Sequence, residues 1–513
     1  MGYLEISLKL PTDYTEDQLR QKISQELGTT EFSYQIENKS LDSRKKNNIH
    51  WLLRISVLSE EVKGEGPLIS PSLSVPYQKR KEKVVVVGSG PAGFFSAFVL
   101  QKAGFATTLV ERGSEVNKRA EGIREFERTG VFNPVCNYAF GEGGAGTFSD
   151  GKLTSRSKHI SKERQFVLSS YINAGAPEEI EYMAHPHLGS DNLKVIVRNL
   201  REKFLNIGGS VLFDTLLEDL KIRDGKVVEA RTASGGIEAD YFIIAPGHSA
   251  YETYRMLIRR NVRFRTKGFA IGSRVEHSQE IINMAQWGKE RLPGVKAAEY
   301  RLASHTGKLP VYTFCMCPGG TVVPASAYAN INIVNGMSRY KRNGRFANSA
   351  CVAGVHPDML IGREASPQEA LDWVEALEQS FYRYAGGFKA PFSGIRDFID
   401  RKEVSRIVET SYPFGLKAAD LWDLLPLEVS SSIKEGLKDF SKKIRGFETG
   451  IIMGLESKTS SPIQVIRERD GLCAGFENLY VAGEGSGCAG GIISSAADGI
   501  KTAMHIIESN HLE

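Results

Sequence analysis

The chain opens on an alternation. Leu4, Ile6, Leu8 and Leu10 are separated by polar residues, the period-two pattern of a half-buried strand. Thr15 and Gln18 have the spacing of a capping box. Leu19, Ile23 and Leu27 then share one helical face, and Gly28 stops the helix. Phe32, Tyr34 and Ile36 alternate again, as do Trp51, Leu53, Ile55 and Val57. Strand, helix, strand and strand over residues 1–58 predict a small ferredoxin-like α/β unit. Residues 59–82, with scattered prolines and serines and the charge cluster "KRKEK", read as a linker. At Lys83 the pattern changes. Val84–Val87 is apolar without alternation, as in a parallel strand buried on both faces. A helix is predicted from Pro91 to Ala103, with Gly104 ending it, and "FATTLVE" is a second strand ending at Glu111. Further on, "ADYFIIAPGHSA" holds an apolar strand, "KGFAIGSRVE" another, and "PLEVSSSIKEGLKDFSKKI" a helix. Leu479–Ala482 is a last strand before a helix that starts near Gly490 and Gly491.

The turns between these elements carry the chemistry. Gly88, Gly90 and Gly93 fit G-x-G-x-x-G between a strand and a helix. The first glycine permits the tight turn, the second lets backbone approach a pyrophosphate, and the third lets helix pack on strand. Pro91 and Ala92 start the helix, whose N-terminal N–H groups point at the phosphates. Glu111 lies 18 residues past Gly93, where a carboxylate bonds both ribose hydroxyls and repels a 2′-phosphate, which speaks against NADP. Arg112 follows it. Three more signals favour FAD over NAD. One is the strand ending at Ala245, Pro246 and Gly247. The second is Gly483-Glu484-Gly485 with Gly490, Gly491 and Ile492. There the acid suits ribityl hydroxyls, and the helix start suits the charge of a reduced ring. The third is "FGEGGAGTFSDGKL", where Gly143, Gly144, Thr147 and Ser149 are placed to line the pyrophosphate or the flavin. The expected fold is therefore α/β. It has a Rossmann-type FAD-binding domain in two parts, 83–251 and 446–513, an inserted α+β substrate domain at 252–445, and the small N-terminal ferredoxin-like domain.

Composition narrows the function classes. A chain of 513 residues suggests two to four domains. With 41% hydrophobic and 25% charged residues it is of ordinary globular type, and a net charge of +4 gives no support for a nucleic-acid or membrane surface. The start, "MGYLEISLKL", is not a signal peptide, and no apolar run of ~18 residues predicts a membrane helix. Six cysteines without a disulfide framework suit a reducing cytoplasm. No second G-x-G-x-x-G follows between residues 250 and 445, which argues against a two-dinucleotide reductase. NAD(P)H remains a candidate electron partner that binds transiently.

The first glycine motif with "VERG", the "APG" strand and the "AGEG…GG" motif together resemble FAD-binding proteins of the glutathione-reductase-like superfamily. More closely, the chain resembles a largely uncharacterised bacterial family of FAD-dependent dehydrogenases. The matching segments are "FGEGGAGTFSDGKL", "GFAIGSRVEHSQE", "FCMCPGG", "SKTSSP" and "AGEGSGCAGGI". The resemblance spans nearly the whole chain. It implies that Gly88, Gly90, Gly93, Glu111, Gly483 and Glu484 contact FAD. Glu484 stands where the wider superfamily usually has aspartate, and Cys488 where relatives often carry an aromatic.

The expected activity is an FAD-dependent oxidoreductase acting on an unidentified small organic substrate. The alternatives are a redox-sensing flavoprotein whose N-terminal unit recruits a partner, and an RNA-modifying flavoenzyme. Candidate catalytic groups are His248, Cys315, Cys317 and Lys458. His185, His187, His277, Lys152 and Tyr182 are further acid–base candidates. In an extended strand Cys315 and Cys317 would point the same way, so their sulfurs could meet. No metal site is expected, since neither the Cys pair nor His185 with His187 has further ligands at suitable spacing.

Overall fold

The computed structural model describes residues 2–66, 72–404 and 408–510. Part of the expected linker, residues 67–71, and the last three residues of the expected segment 446–513 lie outside them. The N-terminal strands Gly2–Leu10, Ser33–Asp42 and His50–Ser59 form an antiparallel sheet with the last strand in the middle. The helix Glu16–Leu27 carries both halves of the Thr15–Gln18 capping box and ends on Gly28 in the left-handed conformation. Its Leu19 and Ile23 pack on Leu8, Leu53, Ile55 and Val57. The unit is tied to the rest of the chain by backbone bonds from Lys39 N–H to Tyr182 O and from Ala184 N–H to Lys39 O.

The five-stranded sheet is parallel throughout. Its order runs Leu479–Val481, Tyr241–Ile244, Lys83–Val87, Ala106–Val110, Ser210–Leu212. Burial on both faces explains the run of valines. Val84 and Val86 face a layer of helices that includes Pro91–Lys102, Ser161–Ile172, Gly189–Asn206 and Ile492–Ser509. Val85 and Val87 face the other way, with Phe242 and Ile244. They meet Leu220, Val227 and Ala230 of a small antiparallel sheet, Asp219–Glu238. The strand order reverses direction beside Lys83–Val87, where open parallel sheets bind ligands at their carboxyl ends.

A larger, mainly antiparallel sheet follows. Its strand Phe269–Ser278 lies between Phe346–Val355 and Ile451–Glu456. Ile451–Glu456 lies past residue 445, so this sheet takes a strand from beyond the expected insert boundary. Hydrogen-bond pairing, not the position of the glycine motif, decides that membership. The helix Leu427–Lys443 covers the sheet, with Ile433, Leu437 and Phe440 fully buried in the main core. Opposite Phe346–Val355, the long strand Val311–Pro324 shifts register between Phe314 and Cys317 and again between Cys317 and Gly320. Cys315 sits at the first shift with φ 45°. The plain extended geometry expected for Cys315 and Cys317 is therefore replaced by a bulge.

Ile433 fills the space above Gly272 and has no exposed surface. Ile433→Ala is expected to cost about 2–5 kcal/mol, read as a lower urea midpoint with an unchanged slope.

Candidate functional site

Three glycine turns from distant parts of the chain meet at the carboxyl ends of adjacent parallel strands. A Cβ on Gly88 would lie 2.2 Å from Ala245 O, and one on Gly93 would lie 1.8 Å from Gly88 O. A Cβ on Gly483 would lie 2.4 Å from the Cβ of Ala92, and one on Gly485 would lie 2.6 Å from Pro246. The turns after Lys83–Val87, Tyr241–Ile244 and Leu479–Val481 thus touch backbone to backbone. Gly247 follows with φ 66°, and its carbonyl accepts from Tyr254 Oη at 2.8 Å. Two helices start here on glycines with no capping side chain. Pro91–Lys102 starts on Gly90, and Ile492–Ser509 starts on Gly491 with φ 89°. First-turn N–H groups without a capping side chain, at the positive end of a helix dipole, are suited to receive an anion.

The loop Phe140–Leu153 closes over the first turn. A Cβ on Gly144, φ 67°, would come 3.0 Å from Gly90 Cα. Fully buried Arg119 staples this loop. Its guanidinium donates to the carbonyls of Asn137, Tyr138, Glu142 and Gly144. Burial, partly offset by Glu111 and Glu142, brings this guanidinium down to about 10. Thr147 donates to Glu142 O at 3.0 Å and Ser149 to Gly146 O at 2.7 Å, so both hydroxyls donate within the loop. Beside the loop lies a small cavity of about 30 Å³ lined by Ser89, Pro91, Glu142, Gly143, Arg201 and Phe213, among others. There the buried Oε1 of Glu142 is ion-paired with Arg201 Nε at 3.3 Å.

Glu111 is buried and organises the turns. One oxygen accepts from Ser89 N–H and Ser89 Oγ, each at 2.8 Å. The other accepts from Gly113 N–H at 2.8 Å and Gly141 N–H at 3.0 Å. Arg112 is ion-paired with Glu252, and its guanidinium stacks 3.7 Å from the Phe140 ring centre.

At the C-terminal turn, Glu484 Oε2 lies 3.3 Å from His248 Nδ1. The other ring nitrogen of His248, Nε2, is buried without a partner. A Cβ on Gly490 would lie 4.0 Å from Glu484 Oε1. Cys488 is exposed and holds the Gln464 amide at 3.1 Å. The turn is fixed from behind by Asp498, which accepts from Gly483 N–H at 2.7 Å and pairs with Arg467 at 2.7 Å.

The remaining candidates fall into three places. Lys458 is buried against Glu378 Oε1 at 2.8 Å and also bonds Tyr251 Oη. Ser457 donates to the same Glu378 oxygen at 2.6 Å. Lys152 donates to Met316 O, beside Cys315 and Cys317. His185 is outward, its side chain 71% exposed, and Tyr182 marks the docking edge of the N-terminal unit. His187 and His277 are buried, bonded to the carbonyls of Tyr340 and Phe447. Burial, with Arg342 for His187, pushes both down to about 4. They are neutral structural groups at ordinary pH.

Sequence reasoning missed Arg119, Ser89, Asp498 and Arg274. Ser89 is the one with a signal, as the side chain between the first two glycines. Among the described residues no group of three or more His, Cys, Asp and Glu is placed to hold a metal ion. No helix is long and apolar enough to cross a membrane.

Comparison with known proteins agrees with this geometry. Residues 81–134 match the family described as "FAD binding domain", and residues 268–459 match "FAD-dependent protein, C-terminal domain-like". A protein of Clostridium beijerinckii, described only as uncharacterized, is 40% identical over 496 residues, covering 92% of each chain. Among solved structures, CtdE with FAD and a substrate aligns over 84% of this chain and 81% of its own, at 11% identity and TM-score 0.39. Glycine oxidase from Bacillus cereus aligns over 84% and 96%, at 12% identity and TM-score 0.34. Neither structural likeness is close enough to inform the site. The chain belongs to the same family as the Clostridium protein, carries an FAD-binding domain and takes FAD as its cofactor.

Between about pH 6.5 and 4 the unfolded chain binds the protons that buried His187 and His277 refuse. Stability is therefore expected to fall as pH drops through that window, by up to ~3 kcal/mol for each histidine. Urea midpoints measured from pH 7 to 4 check this, and His277→Gln should flatten the slope.

Proposed function

We propose that the chain, an FAD-dependent oxidoreductase, binds its cofactor across the three glycine turns and acts on a small organic substrate held against the large sheet. The observation that carries this reading is the convergence of the turns at Gly88–Gly93, Ala245–Gly247 and Gly483–Gly485 with two uncapped helix starts. A close-packed junction explains the glycines, and the two helix starts on glycine also leave first-turn N–H groups without a side-chain acceptor. The start at Gly90 suits a pyrophosphate, with Gly143 and Gly144 above it. Glu111 acts mainly by ordering Ser89, Gly113 and Gly141, and a ribose hydroxyl would share its oxygens with those donors. The start at Gly491 and Ile492 suits the negative charge of a reduced ring.

Bound FAD supplies two-electron redox chemistry, and the protein supplies position and proton control. His248 is the residue placed for the proton. Glu484 orients it through Nδ1, and Nε2 is left free to hold or release a proton. In this reading Glu484 serves the ribityl chain and the histidine together. The arrangement of an FAD domain with an inserted substrate-binding sheet follows from the same assignment. The substrate and the physiological electron partner are to be found by screening.

The purified protein should carry a visible flavin band. Its anaerobic bleaching by NADH, NADPH or members of an organic substrate panel identifies the donor, and failure of every donor would support the redox-sensing alternative. Gly93→Ala places a methyl group against Gly88 O and should weaken FAD binding at least tenfold (roughly the effect of losing one close packing contact). A fully flavinated Gly93→Ala protein removes the basis of the site assignment. His248→Gln should keep its flavin yet slow reduction by the wild-type donor about 10²–10⁴-fold, measured by stopped flow.

A further inference from the structure

The Cys-Met-Cys bulge is built differently from the other thiols of the chain. Cys351 and Cys473 are buried among apolar side chains, and burial pushes each thiol up to about 12. Cys315 and Cys317 instead lie between two cations. Fully buried Arg274 donates to Cys315 O at 2.8 Å and lies 3.6 Å from Cys317 Sγ. The same guanidinium pairs with Glu456 at 2.8 Å and bonds Asn348 Oδ1 at 2.7 Å. From the other side, Lys152 donates to Met316 O and reaches Asp150 Oδ2 at 3.9 Å. Cys315 O and Met316 O thus each bind a cationic side chain, and Cys315 O also accepts from Cys317 Sγ at 3.3 Å.

Two further observations mark this place as more than packing. Cys315 holds φ 45° in mid-strand, a conformation that L side chains rarely adopt and that persists only where surrounding contacts enforce it. Asn348, opposite Cys317 in the ladder, is fully buried, and its Nδ2 has no partner. Cys317 is fully buried, whereas Cys315 keeps partial exposure.

We propose that Cys315 and Cys317 form a dithiol–disulfide couple that exchanges two electrons with small-molecule disulfides, Cys315 attacking and Cys317 resolving. The Cys315 thiolate attacks one sulfur of the small disulfide, breaks its S–S bond and releases one thiolate. Cys317 sulfur then attacks Cys315 sulfur, closing the Cys315–Cys317 bond. The second small thiol leaves with the Cys317 proton. Two thiols of the protein are oxidised and one small disulfide is reduced, so atoms and electrons balance. The local charges support these roles. The neighbouring Cys317 thiol, Lys152 and Arg274 bring Cys315 below the ordinary thiol range, against burial and Asp150. The Cys315 charge and burial push Cys317 up, while Arg274 pulls the other way. Glu456, raised to about 7 by burial against the pull of Arg274, and Arg342, whose charge reaches Cys317, complete the charged groups facing the pair. The exchange needs no flavin, so its test is separate from that of the proposed oxidoreductase site.

The test uses the full-length protein as purified, after mild reduction. In the wild type, iodoacetamide labelling followed by peptide mass mapping should modify Cys315 about tenfold faster at pH 7 than exposed Cys488. The midpoint of the Cys315 rate should lie below the ordinary thiol value of about 8.5. Oxidised glutathione should then remove two hydrogens from the chain and join Cys315 to Cys317. Cys317→Ser should trap a glutathione adduct on Cys315, and Cys315→Ser should yield neither product. Labelling of Cys315 no faster than of Cys488 overturns the proposal even if neither variant folds. So does a wild-type chain that keeps both thiols, or an adduct on Cys317 alone.

Discussion

Where the helix Pro91–Lys102 crosses the helix Ile492–Ser509, the two backbones approach until a single methyl group would not fit. A Cβ on Gly499 would lie 2.1 Å from Ala92 O, and one on Gly483 would lie 2.4 Å from the Ala92 Cβ. Gly93 makes the matching approach to Gly88 O on the strand side. This contact joins the first and last parts of the chain into one sheet-and-helix layer. It also places both helix starts over the same edge of the parallel sheet. The two helix starts and the His248–Glu484 pair depend on that alignment, because each takes residues from two of the turns. Close packing here is a condition of the chemistry, since helix dipoles act only over the first turn.

Around that junction the loops are fixed by buried charge. Removing a guanidinium from water is unfavourable unless its donors are satisfied. Arg119 meets that demand with backbone carbonyls, Arg274 with Glu456, Asn348 and Cys315 O, and Arg342 with Asp150. Each arginine joins segments far apart in the chain. Asp150 shows the balance. Burial alone would raise its carboxyl, yet Arg342 and Lys152 bring it down to about 2. Lys152, on the same loop, then reaches the cysteine bulge. The loop over the first glycine turn and the strand that carries the thiols are in this way held by one charged network.

The legible parts of the structure were those where one residue type answers a local backbone demand. The apolar run Val84–Val87, the glycines at the turns and the Thr15–Gln18 cap each report a condition set by immediate neighbours. The N-terminal strands and the helix Leu427–Lys443 were legible from period alone. Arg119 was not, because its helix Val116–Thr129 is rich in charge and reads as solvated on most sides. Its acceptors lie on a loop that only folding brings near. The same holds for Asp498 behind Gly483, a helical residue with no local signal. The bulge at Cys315 escaped because register depends on the partner strand Phe346–Val355, whose pairing no local pattern encodes.

Unpartnered buried polar atoms add a last step. Such atoms are costly, and a folded chain retains few without reason. Two lie along the proposed sites: His248 Nε2 by the C-terminal turn and Asn348 Nδ2 across from Cys317. They differ in chemistry, one a ring nitrogen able to take either role and the other a donor. In the proposed roles, His248 would meet the reacting proton and Asn348 would sit across from a sulfur that changes its charge during exchange. The loop over the first glycine turn meets the thiol strand through the bond from Lys152 to Met316 O, and Arg274 ties that strand to Glu456, so non-covalent contacts of cationic side chains join the two regions.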